Sequence, residues 1–162
     1  MGLELRAVPD TQISTWLSEH GRGSPDLIDA AVRLSRGAPG KALALVQNAD
    51  VVLRSISDYL QSLGRAAPDV DMTIAKRLAE KKHAISRDLF WDGLDDTIHA
   101  HAIFSATGNY EGPFAPANIN RNPKLWQINH ARLRDVRRAE AAINLDKTAT
   151  MFELLSSIRD AS

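Results

Sequence analysis

The chain's five histidines and its acidic residues are the first place to look for chemistry. Asp95, Asp96 and His99 follow one another at a spacing that matches half of a di-metal helical-bundle site, in which a carboxylate sits three or four residues before a histidine. A complete site needs a second such pair and further carboxylates on facing helices, and neither the last two helical patterns nor the one around Asp71 offers the motif. His99 and His101 are two residues apart, which on a helix turns them about 200° from each other. The bland reading, a solvated helix face, therefore outweighs a metal-dependent enzyme built on Asp95, Asp96 and His99, and no metal is expected.

A second candidate is Gly37, Ala38, Pro39, Gly40 and Lys41. These residues resemble half of a phosphate-binding loop, but lack the following Ser or Thr and come after a helical pattern where such a loop follows a strand. A helix stop, a proline start and a packed turn explain the same residues without a nucleotide. Arg132, Arg134, Arg137 and Arg138 form the third cluster, interrupted by Asp135. Guanidinium groups at that density suit ion pairs with carboxylates or phosphates, which makes the four candidate protein contacts against a bland alternative of a wet helix face. No nucleophile, base and orienting group can be assembled from spacing alone.

The elements that would hold these residues are almost all helical. Ile13, Trp16 and Leu17 mark a first helix from about Asp10 to Glu19. Ser24 as cap, Pro25 at the first position and Gly37 as terminator frame a second, and Pro39 to Asn48 a third. Val52, Leu53, Ile56, Tyr59, Leu60 and Leu63 form the next stripe, closed by Gly64. Asp71 is placed to cap a helix that turns Ile74, Ala75 and Leu78 inward. A long helix is expected from Ala84 to Ser105 with Gly93 interrupting it, then a surface loop over Thr107 to Asn122. Asn122 and Pro123 open the strongest helix, with Trp126, Leu133, Val136 and Ile143 inward, and Asp146 caps a last one carrying Met151, Leu154, Leu155 and Ile158. Trp16, Trp91 and Trp126 all fall on apolar stripes and are expected in the core.

One segment breaks the pattern. Leu3, Glu4, Leu5 and Arg6 alternate apolar with polar and read as the only strand, which has no pairing partner in the chain. The expectation is that Met1 and Gly2 come from an expression vector and that a sheet-containing domain lies upstream.

Composition narrows the classes further. The 162 residues carry 20 basic and 20 acidic side chains and no cysteine. A zero net charge removes the broad basic field on which unaided nucleic-acid binding depends. Without cysteine there is no disulfide framework, thiolate metal site or cysteine nucleophile, which fits a cytoplasmic protein. No apolar run is long enough for a membrane span, and the start MGLELRAVPD lacks a signal-peptide core.

The order of segments then carries a resemblance. Leu3 to Val8, followed by Ile13, Trp16 and Leu17, then Leu34 to Leu45 reading LSRGAPGKALAL, and finally Asn144, Leu145, Asp146 and Lys147 before an apolar helix, resemble the delta-prime subunits of the bacterial DNA polymerase III clamp loader. The resemblance implies an all-α fold in two units: a three-helix AAA+-type lid over residues 1–48 and a helical-bundle collar domain of about five helices over 49–162. It accounts for the orphan strand as the last strand of an upstream AAA+ domain. In nucleotide-binding clamp-loader subunits the start of the corresponding lid helix carries a sensor arginine; laid over Gly37 to Leu43, it falls on Gly40. The resemblance therefore implies a non-hydrolysing stator without a cofactor or a catalytic residue of its own. Its partners would be the other clamp-loader subunits, met through the collar, with DNA and sliding clamp reached only through the whole complex, part of a DNA-directed DNA polymerase holoenzyme. The rival reading from a different class is an unrelated all-α adaptor.

Overall fold

A computed structural model describes residues 7–20, 23–114, 122–142 and 146–160. The strand expected over Leu3 to Arg6 lies outside them, as does Ile143. Among the described residues there are eight α-helices and no strand. They are α1 (Asp10–His20), α2 (Pro25–Ser35), α3 (Pro39–Gln47), α4 (Leu53–Ser62), α5 (Pro68–Ala79), α6 (Ala84–Thr107), α7 (Pro123–Ala142) and α8 (Lys147–Asp160), with a single 3₁₀ turn, Lys81–His83, leading into α6.

Punctuation in the chain explains most boundaries. Pro25, Pro39, Pro68 and Pro123 each open a helix, where a missing N–H costs nothing and a fixed φ is already helical. The Asn122 side chain accepts a hydrogen bond from the Lys124 amide at 3.1 Å, and Asp146 accepts one from the Ala149 amide at 2.9 Å, so α7 and α8 begin on the caps that their sequences offer. Gly108, at φ 78°, closes α6 in the left-handed conformation.

Helices α1, α2 and α3 pack on one another, and α4 to α8 follow as a bundle in which α5 lies along α8 and α6 along α7. The buried side chains form a single continuous cluster, reaching from Ile13 and Leu17 through Leu34, Leu45, Ile56 and Leu94 to Leu155 and Ile158. The first three helices are thus fused to the rest by shared apolar burial, as expected for a unit close to the minimum size for independent folding.

Four expectations are corrected. Asp71 does not cap a helix: α5 begins at Pro68, and Asp71 is fully buried within its first turns. Trp16 is 40% exposed, because α1 turns only Ile13 and Leu17 inward; its ring lies on His20 one turn later. Ile85, which the apolar stripe of the Ala84 to Ser105 pattern would place inward, is likewise out in solvent, at the start of α6. Gly93 does not interrupt α6, which runs unbroken and is sheathed on both sides. A Cβ there would come within 2.6 Å of Ile56 Cδ1 and 3.4 Å of Leu34 Cδ1, so side chains of α4 and α2 fill the space that a side chain at Gly93 would need. No described helix is long and apolar enough to cross a membrane.

Candidate functional site

The turn between α2 and α3 is built from two consecutive left-handed residues, Arg36 at φ 51° and Gly37 at φ 78°. The helix stop assigned to Gly37 is thus shared with Arg36, which takes a conformation that costs an ordinary L-residue of order 1 kcal/mol. Gly37 is required for a second reason. The Val8 amide donates to its carbonyl at 3.0 Å, and a Cβ on Gly37 would fall 2.6 Å from the Ala7 Cβ. The chain entering α1 therefore crosses directly over this turn.

Pro39 then starts α3, and the two positions after it differ in kind. Gly40 is exposed, and nothing lies within 4 Å of where its Cβ would stand. A long side chain would fit there, so packing does not explain the glycine. Lys41 is turned about 100° further round the helix. Its ammonium lies 3.6 Å from the Asp92 carboxylate of α6. Arg36 pairs with Asp96, one turn further along the same helix. Both cations of the turn are thus directed at α6.

Asp92 also receives Arg137 of α7 at 2.8 Å, and Asp95 lies 3.1 Å from His130 of α7. Helix α6 has four carboxylates and one arginine, whereas α7 has five lysines or arginines and two carboxylates. The neutral chain therefore contains an acidic and a basic helix laid side by side. The individual pairs are partly solvated and contribute about 0–1 kcal/mol each; their effect is to fix which faces meet. Burial pushes the Asp96 carboxyl above its ordinary value, with Arg36 and Lys41 pulling it back down.

This arrangement separates Asp95, Asp96 and His99. Asp95 faces α7, Asp96 faces the α2–α3 turn, and His99 is exposed with its ring centre 5.8 Å from that of His130. Among the described residues no group of three or more histidines and carboxylates is placed to hold a metal ion. The four arginines divide as well. Arg137 is half-buried on Asp92, Arg138 makes an exposed contact with Asp135 at 3.8 Å, and Arg132 and Arg134 are exposed.

Residues 9–47 match the family model described as DNA polymerase III subunit delta', AAA+ ATPase lid domain. Helices α1 to α3 are similar to a delta-prime lid. Comparison with curated proteins and with solved structures returns no match. The matched residues take in all three lid helices and the turn from Arg36 to Lys41. Two of its cations, Arg36 and Lys41, face the acidic helix behind it, and Gly40 stands open to solvent.

Two groups of residues escaped the sequence reading. Asp92 holds cations of both the lid and α7, a role its spacing of four from Asp96 could have suggested. His101 is buried under Tyr110 and Trp126, ring centres 5.0 and 5.3 Å away. Its Nδ1–H donates to the Thr97 carbonyl at 2.8 Å, which fixes the tautomer. Burial holds His101 below the ordinary imidazole value, the Thr97 carbonyl working the other way, and burial pushes the Tyr110 hydroxyl up to about 12. The unfolded chain consequently binds a proton at His101 that the folded one refuses. The stability this confers is complete above about pH 6.5 and is lost as pH falls below that value toward the lowered folded one. The melting temperature of the wild type should therefore drop more steeply between pH 7 and 5 than that of His101→Gln. Asp96, shifted the opposite way, is common to both proteins, so equal slopes would refute the assignment.

Proposed function

We propose that the chain is the C-terminal part of a clamp-loader subunit of the delta-prime kind, serving assembly of the loader that places the sliding clamp on DNA. On this reading residues 1–48 are the lid and residues 49–162 a collar-like helical unit that packs beside its counterparts in other subunits. The protein is a cytoplasmic structural component and catalyses nothing in this region.

The delta-prime lid carries the proposal, and the chemistry of its turn supports the inert character. A lid that serves a bound nucleotide must turn a cation toward the phosphates. Here Gly40 offers none although there is room for one, while Arg36 and Lys41 lie on α6 carboxylates. Moving Lys41 toward a phosphate would separate it from Asp92 and require it to swing around the helix.

The expected result of titrating ATP with magnesium into the chain is no heat of binding at micromolar concentrations. Saturable micromolar binding would contradict the stator reading. Co-purification with a clamp-loader ATPase subunit is expected of the full-length protein, and its failure would contradict the assignment to the loader.

A further inference from the structure

Helix α7 has two electrically different sides. Toward α6 it presents Trp126, Asn129, Leu133 and Arg137, all buried or half-buried. Away from α6, the residues Lys124, Ile128, Ala131, Asp135 and Arg138 recur at spacings of four and three, so they form one straight stripe about 21 Å long. All five are exposed, and Ile128 is 60% exposed. Arg132 and Arg134 flank the stripe on either side, and among the described residues neither has an ion-pair partner. Beside Arg132 the surface falls into a groove of about 310 Å³ between α7 and α8, with Val136, Ala139 and Leu154 in its lining.

We infer that the outer stripe of α7 is the docking surface for an acidic amphipathic helix of a partner subunit. An aliphatic centre, Ile128 beside the small Ala131, lets a second helix approach closely. Lys124, Arg132, Arg134 and Arg138 around it call for carboxylates on that helix; Asp135 is the one acid on the stripe itself, and Asp146 and Glu153 lie across the groove beside Arg132. Arginine around a small apolar centre is the composition enriched in protein interfaces. A nucleic acid fits less well, because an apolar centre offers nothing to phosphates and Asp135 repels them, leaving too few cations for a backbone track. The surface lies opposite the acidic helix α6, so cations there add to those already neutralised.

This inference rests on the clamp-loader reading, and the test separates the two. The full chain is expressed with the remaining clamp-loader subunits of the same genome, and assembly is followed by size-exclusion chromatography and titration at low and high salt. Arg134→Glu combined with Arg138→Glu should weaken assembly by about 30-fold or more, and Ile128→Glu comparably. Wild-type assembly should weaken with salt, and both variants should melt like the wild type, since these side chains are exposed. Normal assembly of both variants would overturn the docking surface while leaving the clamp-loader reading standing. Failure of the wild type to assemble at all would overturn both. Capture of primed DNA by the isolated wild type, lost on the double substitution, would overturn the helix partner in favour of nucleic acid.

Discussion

Replacing Arg159 by methionine is expected to cost about 3–5 kcal/mol of folding stability, the range for leaving one member of a buried ion pair without its partner. Arg159 and Asp71 are both almost wholly enclosed, 6% and 1% exposed in their side chains. Arg159 Nε donates to one Asp71 oxygen at 2.9 Å and Nη2 to the other, and Nη2 also reaches the Ser62 hydroxyl at 2.8 Å. Nη1 donates to the carbonyls of Ser62 and Arg65 at the end of α4, and the guanidinium carbon lies 5.3 Å from the centre of the Tyr59 ring. Tyr59 in turn donates to the Leu155 carbonyl at 2.7 Å, its hydroxyl held protonated well above the ordinary range by burial and by Asp71. One side chain of α8 therefore ties α4 and α5 together. For a chain of this length the loss corresponds to a fall of about 6–20 °C in melting temperature. Asp71→Leu combined with Arg159→Met should recover most of it, because two matched apolar groups leave no stranded charge. A double variant as unstable as the sum of its singles would show that the pair acts through packing alone.

Trp126→Ala should be nearly as damaging, about 3–5 kcal/mol, as for other fully buried indoles. Trp126 is 2% exposed and sits in the first turns of α7, its ring tilted over His101 of α6. Removing it leaves a cavity under the segment that also packs Tyr110 edge-on against His101 and Phe104. Hydrogen exchange should show α7 losing protection before α5 and α8, which are held by Asp71 and Arg159. Uniform loss across the molecule would mean that α7 is not separately anchored. Trp126→Phe, which keeps most of the buried ring, should be much milder.

The contrast between these two sites shows what the chain's sequence displays and what it hides. Trp126 is legible because it recurs with Leu133 and Val136 on a helix framed by Asn122 and Pro123. The same holds for Leu154, Leu155 and Ile158 behind Asp146, and for the boundaries that prolines and glycines set. Asp71 is not legible. A carboxylate three residues after a proline looks like first-turn decoration, and its partner lies 88 residues away. Nothing local reveals a pairing that only tertiary packing creates. Trp16 fails for the related reason that a ring on the shoulder of a short amphipathic helix can turn either way, and the neighbours that decide it lie elsewhere. At the candidate site, the turn residues Gly37, Pro39, Gly40 and Lys41 were conspicuous. Of the aspartates that engage Arg36 and Lys41, Asp96 was visible only as part of a possible metal motif, and Asp92 did not stand out at all. The arginines of α7 read as a single cluster, yet the helix distributes them, sending Arg137 inward and the others out.

Gly93 stands between Asp92 and Asp96, so the bare patch of α6 and the two carboxylates that grip the lid occupy a single turn. The absence of a side chain there lets Leu34 and Ile56 settle against the backbone, while the acids on either side act as fixed pegs. From the far flank Arg137 hooks onto one of the same pegs. A tilt of the front three helices would thus bear on α7 through Asp92, the one carboxylate that Lys41 and Arg137 share.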